Sequence, residues 1–234
     1  MDKNKYEKII NDGMVIPVFK PLNWTSFDVV KYIRRVFQRK TNLKKIKVGH
    51  AGTLDPLATG MLIVCVGKKT KEIYKYQNQK KTYYATFKLG ATTPSYDRET
   101  EINEIFSTSH ININRLKICI KNFIGELDQI PPAFSAIKIN GKRSYELARK
   151  GENVSLNSRK IFISKFELLN FKNCEIDCKI ECSKGTYIRS IANDFGKHLN
   201  SGAYLKYLER YSIGRLSIEN AYSLDKLEKQ LFSQ

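Results

Sequence analysis

The sequence predicts an α+β fold: a mixed, largely antiparallel central sheet flanked by helices. Three observations carry this reading. Residues 161–171 and 174–182 are strand-like and close enough in sequence to pair antiparallel. Residues 29–37 and 188–199 carry apolar side chains at helical spacing. Strands and helices also follow one another without the regular β-α-β alternation that a parallel sheet requires.

Along the chain, Thr25 or Ser26 can cap a helix running to about Arg39. Val29, Val30, Ile33, Val36 and Phe37 form its apolar stripe, and Lys31, Arg34, Arg35 and Arg39 lie away from it. Lys40, Lys44, Lys45 and Lys47 extend a basic surface that reads equally as a solvated face or as one that tracks phosphates. A loop from Gly49 to Gly60 leads into a strand from Met61 to Val66, and Tyr83 to Leu89 forms a second strand before a polar turn at 93–98. Asn114 to Phe123 is helical and stops at Gly125. Ala136 to Ile139 is a strand entering an Asn140-Gly141 turn, and Tyr145 to Lys150 a short helix ended by Gly151. The helix from Ile188 to Leu199 turns Ile191, Ala192, Phe195 and Leu199 inward. The last thirty residues hold another short helix, a strand near 213–218 and a closing helix.

Cys174, Cys178 and Cys182 have a spacing that suggests a metal site, but their surroundings argue against it. Apolar residues fill every even position from Cys174 to Cys182 and polar ones every odd position, which is the period of a half-buried strand. Residues four apart on a strand lie about 13 Å from each other, so these thiols cannot share one ion. They read as core cysteines. No histidine is spaced to join them, and no metal is expected.

The 234 residues carry 41 Lys plus Arg against 23 Asp plus Glu, a net charge of +18 with pI about 9.6. Such an excess points to a polyanion, nucleic acid before an anionic membrane. The longest apolar run, Met61 to Val66, is far short of the roughly 18 residues of a spanning helix. The amino terminus has no apolar stretch after its charges, so no signal peptide is read there. A cytoplasmic location with five reduced cysteines follows.

The segment KVGHAGTLDPLATGMLIVCVG is the densest in information. Its glycines supply backbone freedom, and Pro56 pushes Asp55 out of the α region. One carboxylate is thus presented on an otherwise uncharged loop beside a core strand. Asp55 reads either as a turn residue bonded to neighbouring amides or as a catalytic carboxylate. No phosphate-cradling or dinucleotide motif is present.

This loop resembles the catalytic motif of the TruB-type tRNA pseudouridine synthases. The resemblance continues in order through KPLNWTSFDVV before the loop and KTYYATFKLGATTPSYD after it. QIPPAFSAIKINGKRSYELARKG and CSKGTYIRSIANDFGKHLNSGAYLKYLER follow, so that it reaches from about residue 13 to 218. It implies a pseudouridine synthase-like α+β fold and a single catalytic domain over residues 1–234. The implied activity is isomerisation of uridine 55 in the T-arm loop of tRNA. It also implies Asp55 as nucleophile, Tyr83 as the active-site tyrosine and Arg189 as an arginine beside the nucleophile. Leu208 matches an apolar position lining the uracil pocket, and His50 a histidine that holds the rearranged T-loop. Lys20 and Lys184 are expected to contact the RNA. On their own residues, Tyr83 reads as ordinary strand pairing and Arg189 as a cap-region or surface charge.

The implied chemistry suits these side chains. Pseudouridine formation breaks the N1–C1′ bond, turns the uracil and rejoins it through C5 without net redox change, so no cofactor is required. A carboxylate can attack C1′ or assist formation of a glycal. Arg189 is then the cation that keeps a desolvated acid charged and oriented. A tyrosine ring can stack on uracil, and its hydroxyl can shuttle a proton at C2′. The stacked target base must be extruded, at a cost of a few kcal/mol, and contacts to the RNA backbone offset this.

Two departures stand out. Asn23 occupies a position usually held by glycine, and asparagine is among the residues that tolerate a left-handed backbone. Many relatives also carry a small RNA-binding PUA-type domain after the catalytic domain, and none is evident. The alternative reading is a non-catalytic RNA-binding or tRNA-folding protein, which would not need Asp55, Tyr83 and Arg189 together. A membrane-binding reading has little beyond charge. With no apolar stripe left unassigned, a monomer is expected.

Overall fold

The computed structural model describes residues 10–41 and 43–232; the first nine residues, where no signal peptide is expected, lie outside them. In chain order the elements are β1 (Met14–Lys20), α1 (Ser26–Thr41), β2 (Val48–His50), β3 (Thr59–Val66), α2 (Ile73–Gln77) and β4 (Lys81–Leu89). They continue with β5 (Ala91–Thr92), β6 (Glu104–Ile105), α3 (Ile113–Lys121), β7 (Gly125–Gln129), β8 (Lys138–Ile139), β9 (Lys142–Arg143) and α4 (Ser144–Ala148). Last come β10 (Arg159–Lys172), β11 (Glu175–Cys182), α5 (Ile188–His198), β12 (Ala203–Ile213), β13 (Leu216–Ser217) and α6 (Leu224–Phe232). The class is α+β with mostly antiparallel pairing. The chain forms two compact units, one of residues up to Tyr83 and from Glu209 onward, the other of Tyr84–Leu208. Among the described residues no helix is long and apolar enough to cross a membrane.

In the first unit β3 is the central strand. β1 pairs with it antiparallel along seven residues, Met14 opposite Val66 to Lys20 opposite Gly60. β2 pairs with its far end, and the carboxyl-terminal part of β12 runs parallel to its start, Arg210 opposite Gly60. Both faces of β3 are covered, which explains its unbroken apolar run. Leu62, Val64 and Val66 pack with Val29, Val30, Ile33, Val36 and Phe37, the stripe expected on α1. Met61, Ile63 and Cys65 face Ala51 and Ile213. Thr25 and Asp28 cap α1 reciprocally: Thr25 N donates to Asp28 Oδ2 at 3.1 Å and Asp28 N to Thr25 Oγ1 at 3.0 Å. The other expected cap, Ser26, bonds elsewhere. Tyr222 stitches the carboxyl-terminal segment onto β1, through Phe19 N to Tyr222 O and Tyr222 N to Pro17 O.

Gly60 marks the closest approach. Its φ is +107°, and a Cβ there would lie 2.4 Å from Arg210 O and 2.9 Å from Arg210 N. Gly52 has a similar φ of +97°, but its nearest neighbour is the Arg210 Nη1 at 3.9 Å. Gly52→Ala is expected to cost about 1–2 kcal/mol for backbone strain alone, and Gly60→Ala about 3 kcal/mol or more because β12 must also move. Urea unfolding of the two variants checks the order; equal losses would show that only φ matters.

In the second unit β11 pairs antiparallel with β10, and β10 with β7. Phe87, Phe123, Phe166 and Phe195 form an aromatic core between sheet and helices, with ring centroids 5.6–6.2 Å apart. Four expectations are corrected here and in the first unit. Cys174 is not on β11: with Asn173 (φ +52°) it forms a two-residue turn at φ +58°, because a tight hairpin joining Lys172 to Glu175 needs both central residues left-handed. The loop expected over Gly49–Gly60 is shorter, since Gly49 and His50 belong to β2 and Thr59 and Gly60 to β3. The strand expected over 136–139 is only Lys138–Ile139, although the Asn140-Gly141 turn is where it was expected, with φ +49° and +85°. A strand, β12, occupies 203–213, in place of the short helix expected at the start of the last thirty residues. Its burial phase flips between Leu205 and Leu208, which breaks the period of two and leaves an i, i+3 pair that mimics a helix.

Candidate active site

Asp55 lies on the connection between β2 and β3, half-buried, and five residues of the first unit, Ala51, Arg210, Ser26, Asn23 and Lys20, hold that connection in place. Ala51 N donates to Ile63 O, continuing the β2–β3 ladder one step. Arg210, 1% exposed, donates Nε to Met61 O at 2.7 Å, Nη2 to Gly52 O at 3.1 Å and Nη1 to Thr53 O at 3.3 Å. Ser26 Oγ accepts from Leu54 N at 2.8 Å and donates to Leu54 O at 3.1 Å, tying the start of α1 to the residue before Asp55. On the other side, Pro56 O accepts from Asn23 N at 2.9 Å. Asn23 has φ +63°, the left-handed backbone expected of it in the glycine position.

Lys20 ends β1 with no solvent exposure, its ammonium donating to Trp24 O at 2.7 Å, Pro21 O at 2.9 Å and Pro56 O at 3.4 Å. The expected contact with RNA is not available to it: an ammonium enclosed in this way offers no surface to a phosphate, and Lys20 instead braces the turn before α1 against the Asp55 loop. Burial lowers its pKa from the ordinary 10.5 to about 8, with Asp55 acting upward and Arg210 downward. His50 is also lowered, first by burial and then by the Arg210 charge. The loop thus combines one carboxylate with a buried ammonium and a buried guanidinium.

The Lys20 shift has a measurable sign. The unfolded chain keeps the Lys20 proton to about pH 10.5 and the folded chain releases it near 8. Between these values unfolding takes up a proton, so stability rises with pH through that window. Wild type minus Lys20→Met, which cannot titrate, is expected to increase from pH 8 to 10.5 in parallel urea titrations; a flat difference would refute the shift.

Tyr83 sits on β4 with 8% exposure, two residues after Lys81, whose buried ammonium binds the carbonyls of Gln77 and Gln79 and so sets where β4 begins. The remaining predicted residues belong to the second unit. Arg189, 4% exposed near the start of α5, has Nε 3.6 Å from Asp97 Oδ2 and donates Nη1 to Phe134 O at 2.9 Å and Ser95 O at 3.4 Å. Leu208 is 6% exposed and Lys184 exposed.

Sequence reasoning missed three residues. Arg210 closes the matched segment ending LKYLER, two residues beyond Leu208 on the same buried face. Asp97, the last residue of the matched KTYYATFKLGATTPSYD, is the buried partner of Arg189. It follows Tyr96, whose φ of +62° is unusual for a bulky residue and is the kind of strain that clusters at functional sites. Gln129, 3% exposed at the head of QIPPAFSAIK, bonds both main-chain groups of Tyr187: Nε2 donates to Tyr187 O at 3.0 Å, and Oε1 accepts from Tyr187 N at 2.8 Å. Arg159 lies 4.5 Å over the Tyr187 ring. The turn that launches α5 is therefore held from both sides. Each signal was a polar residue at the end of a matched motif.

Comparison with known proteins bears on this arrangement. Residues 35–188 match the family described as TruB family pseudouridylate synthase (N terminal domain). A Flavobacterium johnsoniae protein named tRNA pseudouridine synthase B is 51% identical over 221 residues, 94% of this chain and 96% of that one. The protein of that name from Clostridium tetani is 45% identical over 216 residues, 92% of this chain and 73% of its own length. Among solved structures, a chain of a Cbf5-Nop10-Gar1 complex superposes with a TM-score of 0.73 at 26% identity over 97% of this chain. The chain spans 56% of that solved chain.

Proposed function

This chain belongs to the TruB family of pseudouridylate synthases, and on that premise we propose that it isomerises uridine 55 in the T-arm loop of tRNA to pseudouridine, with Asp55 as the catalytic carboxylate. The observation that carries the assignment is the bracing of the Asp55 loop. Arg210, Lys20 and Ser26 bind the residues on both sides of Asp55, and Lys20 feels its charge. A catalytic group must be held within a few tenths of an ångström of its productive position, and buried bonds from three elements do that better than a mobile loop. The tRNA substrate is supported by the names of relatives aligned over almost the whole chain. The net charge of +18 supports binding to RNA phosphates.

As an isomerase the protein breaks the N1–C1′ bond of uridine and forms C5–C1′; the hydrogen at C5 leaves as a proton and N1 takes one up, so there is no net loss of atoms. Asp55 acts either as the nucleophile at C1′ or in a glycal route, in which the proton at C2′ is removed and returned. Deuterium at C2′ slows turnover only in the second. Tyr83 supplies a ring to stack on the uracil and a hydroxyl for proton transfer, and Arg189, set by Asp97, supplies a guanidinium. His50 and Leu208 serve substrate recognition, and Lys184 a phosphate contact. We read residues 1–234 as one catalytic domain acting as a cytoplasmic monomer; the matched family segment runs through the junction of the two units at Tyr83.

The test is tritium release from T-arm RNA labelled at uracil C5. Wild-type protein is expected to release tritium, and to release none when the target uridine is replaced by cytidine. Absence of release from folded protein that binds the RNA would leave a non-catalytic RNA-binding protein.

A further inference from the structure

The first turn of α1 and the residues before it expose two large apolar side chains. Leu22 is 47% exposed and Phe27 55%. Isolated exposed hydrophobics need no explanation. These two flank the segment Asn23–Ser26, however, which is bonded to Pro56 and Leu54 on either side of Asp55. Lys31 Nζ lies over one face of the Phe27 ring, 4.7 Å from its centroid, and 3.9 Å from Asp28 Oδ1 in a solvent-exposed pair, so the base would take the other face. The sixteen residues of α1 include five basic side chains, Lys31, Arg34, Arg35, Arg39 and Lys40, and one acid, Asp28; Arg39 and Lys40, at the far end, pair with Glu228. Exposed Lys44, Lys45 and Lys47 follow.

An aromatic ring beside a row of cations matches the two parts of an unpaired nucleotide: the base stacks on the ring, and the phosphate is drawn to the ammonium. We propose that Phe27, with Leu22 and Lys31, is a docking platform for an unstacked nucleobase of the substrate RNA close to the flipped uridine. The base lies on Phe27 and Leu22, and Lys31 neutralises its phosphate. A duplex exposes no base face, so the occupant is a loop nucleotide. The proposal rests on the RNA-isomerase reading above and adds a contact for a base that does not react.

The experiment places 2-aminopurine, one position at a time, at the loop nucleotides flanking the target, and measures its fluorescence with wild type, Phe27→Leu and Phe27→Trp. At one position wild type and Phe27→Trp are expected to quench the probe, and Phe27→Leu not to. Phe27→Leu should raise KM for T-arm RNA about tenfold, the tryptophan should restore it, and the melting temperature should not move. Lys31→Gln should reduce the slope of log K against log salt by about one. Unchanged quenching and KM in Phe27→Leu would overturn the platform. A changed sedimentation coefficient in that variant would overturn it too, and assign the patch to contact between copies of this chain. Loss of tritium release in wild type itself would overturn the isomerase reading instead, while the quenching difference still decides the platform.

Discussion

Asp55→Asn is expected to abolish tritium release, with kcat falling by a factor on the order of 10⁴ or more, as when a covalent or charge-bearing catalytic group is removed elsewhere. The substitution keeps the shape of the side chain and the groups that hold the loop, so the loss reports the carboxylate itself. RNA affinity should change little, because contacts to phosphate dominate it. A second readout separates chemistry from misfolding. Asp55 is the larger of two charges, with Asp28, that act upward on Lys20, so its loss should push the Lys20 pKa below about 8. A variant that is folded, binds RNA, shows the Lys20 change and releases no tritium makes Asp55 the catalytic carboxylate. Equal release by both proteins would keep the enzyme and remove Asp55 from its mechanism.

Arg210→Met should produce the largest loss of stability. The guanidinium is buried and satisfies three main-chain carbonyls, two of them on the Asp55 loop. Methionine fills similar volume but donates nothing, leaving Gly52 O, Thr53 O and Met61 O without that partner. Disrupting a buried charged network of this kind costs about 3–5 kcal/mol, or roughly 10 °C in melting temperature for a chain of this size. Electrostatics supply an independent sign. Arg210 lowers the pKa of both Lys20 and His50, so both should rise in the variant. With only three histidines in the chain, the His50 resonance can be followed in an NMR titration. A melting temperature unchanged within a degree or two would mean that the loop is held without Arg210.

Much of the architecture was legible in the order of residue types. The unbroken run Met61–Val66 required a strand covered on both faces, the stripe on residues 29–37 required a helix, and Asn140-Gly141 required a hairpin. Asp55 stood out as the lone acid of a glycine-rich loop. These are local signals, in which spacing and backbone preference act within a few residues. Lys20, Arg210, Asp97 and Gln129 were not legible in the same way, because each acts on a partner far along the chain: Arg210 on Gly52 and Gln129 on Tyr187, for example. A lysine in a sequence reads as surface charge, and only folding showed that Lys20 has no exposure and grips carbonyls. The same holds for Thr25 and Ser26, which are interchangeable as caps until the position of Leu54 assigns one to the helix and the other to the loop.

The sequence by itself determined the α+β class, the basic surface and the carboxylate set in a loop of fixed backbone, because composition and short-range periodicity settle those. Only the tertiary structure decided which charges are enclosed and what holds the carboxylate still. A buried charge survives only where carbonyls or an opposite charge meet it, and those partners converge only when the chain has folded.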